Sequence, residues 1–225
     1  MADRRTYGSY DDGCAAAHAL DVIGERWSMS IVRELLLGPK HFAELQRDVA
    51  GIGPTMLTRR LSGLERNGVV RRTRSESGSG THAYELTAWG RGLESVNEAL
   101  AKWGARSPAL PLDASMSPDT LVLAMRTHAR GRSSPGPRRS VRLHVRDSRR
   151  PGTPAVLYQA TLAPEGVAIA RTRSDEEDRC DARVACTTAA LKLAVILGSP
   201  WRTVQDFSVQ GDESAVDRLV AATRR

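Results

Sequence analysis

Arginine side chains are concentrated in one short stretch of the chain, from Arg59 to Arg74. This stretch holds six arginines against a single acidic residue, Glu65. A guanidinium group can donate two parallel hydrogen bonds to O6 and N7 of guanine, or it can bind phosphate oxygens. Nearby, Thr55 and Thr58 add hydroxyl and methyl groups that can contact base edges. These residue types favour recognition of nucleic acid, provided that folded elements present them on one surface.

The other residues that could carry chemistry are isolated from one another. None of the five histidines has a Cys or carboxylate partner at the spacing of a metal site or a catalytic pair. They are His18, His41, His82, His128 and His144. The cysteines are too few and too scattered for a disulfide scaffold or a four-thiolate zinc site: Cys14, Cys180 and Cys186. We therefore expect no enzyme activity, no catalytic residues, no metal and no cofactor.

Hydrophobic periodicity predicts the elements that position the arginines. From Asp12 to Leu37 the apolar residues recur every three or four positions, with an interruption near Gly24, which predicts two helices. The shared apolar face is formed by Leu20, Ile23, Trp27, Ile31 and Leu35. A shorter helix follows with Phe42, Leu45 and Val49, and it leads into a turn with Gly51 and Gly53.

The next helix begins at Pro54, a residue suited to the first helical position, and ends at Asn67-Gly68. Its inward residues are Met56 or Leu57, Leu61 and Leu64. After it, two short alternating segments flank the loop SESGSG at 75 to 80 and predict a hairpin. Helix, glycine turn, helix and basic hairpin together indicate a winged helix-turn-helix, whose second helix fits the DNA major groove.

This arrangement predicts the residues that contact DNA. On the second helix they are Pro54, Thr55, Thr58, Arg59, Arg60 and Ser62. On the hairpin they are Arg71, Arg72, Arg74 and His82, which we expect to bind mainly phosphates. Lys40 and His41, which precede the first of the two helices, complete the predicted set.

An apolar seam follows the hairpin. Thr87 is a plausible N-cap for a helix that runs to about Arg106. Its apolar residues step by four, three, four and three positions: Trp89, Leu93, Val96, Leu100 and Trp103. The seam either packs on its own domain or is shared between two subunits, and we favour the shared arrangement. A two-fold dimer would present two recognition helices to a palindromic site.

The chain of 225 residues divides at a proline-rich linker. We place a first domain at 1–107, the linker at 108–118 and a second domain at 119–225. The formal net charge of +7 is uneven, with +2 in residues 1–107 and +5 in residues 108–225. Nine further arginines between 126 and 150 are best explained as solvated loop residues. No apolar run is long enough to cross a bilayer and no signal peptide is recognisable, so we expect a cytoplasmic protein without a membrane partner.

The first domain resembles the HxlR family of bacterial winged-helix transcriptional regulators. Across about 95 residues it shows, in order, the motifs IGERW, IVRELLLGP, F-x-E-L, LTRRLSGLE and YELT-x-x-G. The resemblance implies a homodimer on double-stranded promoter DNA, with residues 54–60 in the recognition helix and the 71–82 hairpin as wing. Cys14 matches a cysteine that precedes the first helix in family members and that in some of them senses oxidants or electrophiles. It is either such a sensor or a small packing residue.

The second domain shows helices around alternating segments, which predict an antiparallel sheet and an α+β fold. Its pieces DARVACTTAALKLAVILG and VQGDESAVDRLV resemble sterol-carrier-protein-type domains. That resemblance implies an apolar tunnel for a hydrophobic small molecule, although a solid core explains the apolar helix equally well. The pocket residues predicted on this basis are Val122, Met125, Leu143, Tyr158, Leu193 and Ile196.

Three hypotheses follow for function. The first is a homodimeric regulator that binds palindromic promoter DNA and responds to a small hydrophobic effector in its second domain. The second is a carrier of lipids or other hydrophobic molecules that uses the winged helix only for dimerisation. The third is a regulator switched by oxidation of the Cys14 thiol.

Overall fold

The computed structural model describes residues 9–74, 82–172 and 180–225. The predicted loop at 75 to 80 and the acidic run at 175 to 178 lie outside these residues. The fold is mixed α+β, and the chain divides into two compact units, Met1–Ala99 and Leu100–Arg225. Among the described residues, no helix combines the length and the apolar character needed to span a membrane.

The first unit is a helix-turn-helix domain with a three-stranded antiparallel sheet in the order β1-β3-β2. Its elements are α1 (Ala15–Ile23), α2 (Ser28–Leu35), β1 (Lys40–His41), α3 (Phe42–Asp48), α4 (Pro54–Arg66), β2 (Val70–Arg74), β3 (His82–Leu86) and α5 (Ala88–Arg91). A further helix, α6 (Leu93–Gly104), begins in this unit and continues past Ala99.

The core of the first unit forms where the apolar faces of α2, α3 and α4 meet. Of the two alternatives for α4, Leu57 points inward, and it is fully buried together with Leu61 and Leu64. Each buried leucine contributes roughly 1.5–3 kcal/mol relative to an exposed one. The apolar face predicted for α1 is different, because Leu20 is 50% exposed and α1 contains no buried residue.

Two glycines set the ends of these helices. The predicted interruption near Gly24 is confirmed, because α1 ends at Ile23 and α2 begins at Ser28. Gly24 has no room for a side chain, since a Cβ there would lie 2.5 Å from the carbonyl oxygen of Leu20.

Thr87 is an N-cap as predicted, and its hydroxyl oxygen accepts a hydrogen bond of 3.0 Å from the amide of Gly90. The single helix expected after it is broken at Gly92, whose amide donates to the carbonyl of Trp89 over 3.0 Å and so tightens the turn.

The second unit is a five-stranded sheet with helices against it, in the strand order β6-β5-β4-β7-β8. Its elements are α7 (Pro118–Ala129), β4 (Arg139–Arg146), β5 (Val156–Ala163), β6 (Gly166–Thr172), β7 (Ala182–Thr187), α8 (Thr188–Val195), β8 (Phe207–Gly211) and α9 (Glu213–Thr223). A single 3-10 turn at Trp201–Thr203 precedes β8.

The sheet of the second unit differs from the expected antiparallel one at a single pairing. β4 and β7 run parallel, with Leu143 beside Val184, whereas the other three pairings are antiparallel. The alternation of apolar residues is the same for either strand direction, so the sequence pattern could not reveal this. The last strand begins at Phe207, directly after Asp206 adopts a left-handed φ of 59°.

Candidate nucleic-acid interface

Helix α4 presents the predicted recognition residues at its N-terminal end. Gly53 is the N-cap, and Pro54 takes the first helical position. Thr55, Thr58 and Arg59 are exposed on the side away from the buried leucines, whereas Ser62 is half-buried. The Thr58 hydroxyl donates to the carbonyl of Pro54 over 3.0 Å. The exposed groups of this helix end match those that read base edges in a major groove.

Arg60 has a different environment from Arg59. Its side chain is only 12% exposed and forms an ion pair with the Glu25 carboxylate. Its Nε also donates to the carbonyl oxygen of Arg26 over 3.0 Å. We therefore do not include Arg60 among the proposed DNA contacts, since its guanidinium holds α4 against the segment between α1 and α2.

The same segment also holds the turn that precedes α4. Trp27 donates its indole N–H to the carbonyl of Ala50 over 3.3 Å, and the guanidinium of Arg26 lies 4.2 Å from the Trp27 ring centroid. Trp27 adopts a left-handed φ of 72°, which is rare for a bulky residue. Trp27 packs against the core, as its place on the predicted apolar face indicates. Sequence reasoning missed the role of Glu25 and the hydrogen bond of the Trp27 indole, because these contacts depend on the bend between two helices.

The arginines of the hairpin are partly engaged by neighbouring carboxylates. Arg71 lies 2.6 Å from Glu85, and Arg72 lies 3.0 Å from Glu65 on α4. The guanidinium carbon of Arg72 also lies over the Tyr84 ring, 5.5 Å from the ring centroid. Arg71 and Arg72 are exposed, so these ion pairs are weak and can exchange for phosphate contacts. Arg74 on β2 and His82 on β3 lie opposite each other in the hairpin, and both are exposed.

Lys40 is placed where it cannot reach DNA. It is 1% exposed, and its Nζ donates to Glu34 over 2.7 Å and to Asp48 over 2.9 Å. Burial alone raises the pKa of Asp48, but the hydrogen bond from Arg47 and the charge of Lys40 outweigh it, so this pKa lies below its ordinary value. We leave Lys40 out of the proposed interface. His41 is half-buried, and its Nδ1 lies 3.2 Å from the carbonyl oxygen of His82.

The predicted seam is largely uncovered. Trp89 is 58% exposed and Trp103 is 72% exposed, and Val96 and Leu100 are exposed as well. Leu93 is the exception, because it is half-buried and packs on the core of the first unit. Isolated apolar residues on a surface are normal, whereas several large ones close together along α5 and α6 indicate an interaction site.

Cys14 is exposed at the N-cap position of α1. The backbone N–H groups of Ala17 and Ala16 lower the pKa of its thiol, as expected at a helix N-terminus. Cys186 shows the opposite behaviour, since burial raises the pKa of its thiol to about 12. Of these two, only Cys14 has the exposure and the pKa shift that favour a reactive thiolate.

The residues predicted for a pocket in the second unit do not all lie in one place. Val122, Met125, Leu143 and Tyr158 are fully buried. Leu193 is 39% exposed on α8, and Ile196 is half-buried. The Tyr158 hydroxyl donates to Asp119 over 2.6 Å, and Arg171 pairs with the same carboxylate at 3.2 Å. Four of the six predicted residues are therefore buried in the second unit, whereas Leu193 is exposed.

Comparison with known proteins shows the family to which the helix-turn-helix unit is similar. Residues 22–109 match the model of the HxlR-like helix-turn-helix family. The HTH-type transcriptional regulator YybR of Bacillus subtilis is 32% identical over 104 residues, which are 46% of this chain and 83% of YybR. The chain belongs to the HxlR family.

Two further relatives match a similar share of the chain. The HTH-type transcriptional regulator YtcD of Bacillus subtilis is 38% identical over 86 residues, 38% of this chain and 68% of YtcD. A crystal structure of the redox regulator HypR in its oxidized form is 33% identical, covers 42% of this chain and 97% of HypR, and has a TM-score of 0.39. These matches leave most of the second unit uncovered.

Proposed function

We propose that the protein is a homodimeric, non-catalytic transcriptional regulator that binds palindromic promoter DNA in the cytoplasm. The observation that carries this proposal is the exposed end of α4, where Thr55, Thr58 and Arg59 project beside a hairpin rich in arginine. This helix end enters the major groove, and Arg71, Arg72 and Arg74 bind phosphates along the neighbouring backbone. Membership of the HxlR family supports the same function.

The uncovered seam supports a dimer. Burying the indole rings of Trp89 and Trp103 against a second copy would remove the largest exposed apolar side chains of this face from water. A two-fold axis through the seam then presents two copies of α4 to half-sites one helical turn apart or a multiple of it. Equilibrium sedimentation checks this arrangement: Trp103→Glu should shift the protein towards monomer.

Binding to the promoter fragment of its own gene tests DNA recognition. Arg59→Ala should weaken binding by roughly 1–3 kcal/mol, the range for a bidentate base contact. Arg106→Ala, an exposed arginine outside the interface, is the matched control and should leave binding unchanged. A footprint with two-fold symmetry supports the proposal, whereas equal binding by the Arg59 variant and wild type contradicts it.

The second unit is proposed to bind a small hydrophobic effector. Its resemblance to sterol-carrier-type domains supports this role, as do the buried apolar residues Val122 and Met125 on α7 and Leu143 on β4. Such a ligand regulates only if it binds the DNA-competent and incompetent states with different affinity. Thermal-shift and mobility-shift assays with fatty acids and aromatic compounds test this role. If no compound changes the melting temperature or the DNA binding, the second unit has only a structural role.

Thiol sensing is a second candidate function, favoured by the exposed Cys14 with its lowered pKa. Oxidation of this thiolate by peroxide or its alkylation by an electrophile would alter the start of α1. We expect hydrogen peroxide to change DNA binding of the wild type and to have no effect on Cys14→Ser. An identical peroxide response in that variant would remove Cys14 from the mechanism.

A further inference from the structure

A polar cleft of about 820 Å³ lies beside α4 in the first unit. One wall is α4 with Arg59 and Arg66, and the other is formed by α1 and the residues that precede it. Among the described lining residues, only Val22 and Leu64 are apolar. The cleft therefore suits a hydrophilic ligand and not the hydrophobic effector proposed for the second unit.

Several charges of the cleft have structural partners. The ion pair between Glu25 and Arg60 joins the two walls at one point. Asp21 accepts hydrogen bonds of 2.9 Å from both the Ser9 hydroxyl and the Tyr10 amide. These contacts hold the N-terminal segment in place and thereby keep the acidic wall opposite α4.

The remaining charges face the cleft without bridging it. Within the described part of the chain, neither Arg59 nor Arg66 forms an ion pair, and Asp11 forms none either. Asp12 uses one carboxylate oxygen to accept from the Cys14 amide over 2.9 Å. Opposite charges that border one space but stay apart leave room for a molecule that carries both a cation and an anion.

We propose that this cleft binds a zwitterionic small molecule with the chemistry of a basic amino acid. Its ammonium or guanidinium group binds the carboxylates of Asp11 and Asp12, and its carboxylate binds the guanidinium groups of Arg59 and Arg66. The bound molecule occupies Arg59 and competes with DNA. This regulatory part rests on the proposed function, whereas ligand binding itself does not.

Calorimetry on the full chain tests binding, with L-arginine, L-lysine and L-ornithine as probes. We expect saturable binding of at least one probe at a single site. Its half-probes, such as agmatine, which lacks the carboxylate, and glutarate, which lacks the cation, should bind about tenfold more weakly or worse, a loss of about 1.4 kcal/mol. Asp11→Asn/Asp12→Asn and Arg66→Ala should each lose a similar factor, and Asp113→Asn is the matched control outside the cleft.

The outcomes separate this proposal from the proposed function. No saturable binding by any of the three probes, or equal affinity in wild type and both cleft variants, overturns it. With the probe at ten times its wild-type dissociation constant, competition should weaken promoter binding of the wild type about tenfold and that of the Asp11→Asn/Asp12→Asn variant by no more than about twofold. Probe binding without any DNA binding refutes the DNA function alone, and simultaneous binding of both refutes the competition.

Discussion

Neighbouring arginines on α4 should respond to substitution in opposite ways. Arg59 is exposed, whereas Arg60 is bound by Glu25 and by the carbonyl of Arg26. Arg60→Ala removes a charged hydrogen bond to the backbone, for which roughly 1.5–3 kcal/mol is typical. The ion pair adds little, because Glu25 is 54% exposed and solvent screens it.

The expected cost of Arg60→Ala is therefore about 1.5 kcal/mol, near the lower end of that range. In a unit of this size it corresponds to a decrease in Tm of roughly 6–12 °C. Arg59→Ala should change stability by less than about 0.5 kcal/mol, because this side chain is exposed. Differential scanning calorimetry measures both variants, and Glu25→Gln should lower Tm less than Arg60→Ala because the hydrogen bond to Arg26 remains.

The DNA assay distinguishes a positioning role for Arg60 from direct contact. If Arg60 only positions α4, Arg60→Ala should weaken binding without changing the dependence of affinity on salt. A direct phosphate contact would instead reduce the slope of log K against log salt concentration by about 0.9. An unchanged Tm together with a reduced slope would refute the assignment of Arg60 to positioning.

Three further substitutions test the packing. Gly90→Ala should destabilise the first unit by more than about 2 kcal/mol in urea denaturation, because the added Cβ would lie 2.1 Å from the Val69 carbonyl oxygen. The pKa of Asp48 is lowered from 3.8 in the folded state. The ionised carboxylate therefore stabilises the fold above the unfolded-state pKa of 3.8, and this contribution is lost as the pH falls through the lower folded-state pKa. Asp48→Asn should accordingly flatten the decline in stability below about pH 4 in a pH series of urea titrations. Tyr158→Phe leaves the buried Asp119 carboxylate without its hydroxyl donor and should cost about 1–3 kcal/mol by the same measurement, and an unaffected variant would show that this bond contributes nothing.

Local sequence signals predicted the helix-turn-helix closely. Pro54 as the first residue of α4 and Thr87 as an N-cap both occur as expected, because they act on backbone groups within a few residues. The inward leucines of α4 follow from helical periodicity in the same way. The break at Gly92 escaped prediction, since a glycine inside an apolar repeat is often tolerated.

The sequence by itself determined which residues form α4 and its hairpin, because capping and periodicity are encoded over short distances. Only the tertiary structure decided which charged side chains remain available. Arg59 and Arg60 are adjacent and chemically identical, yet Arg60 meets a carboxylate 35 positions away. Lys40, in the short strand β1 between α2 and α3, is buried and pairs with two carboxylates. Such pairings depend on how helices pack, and no local pattern records them.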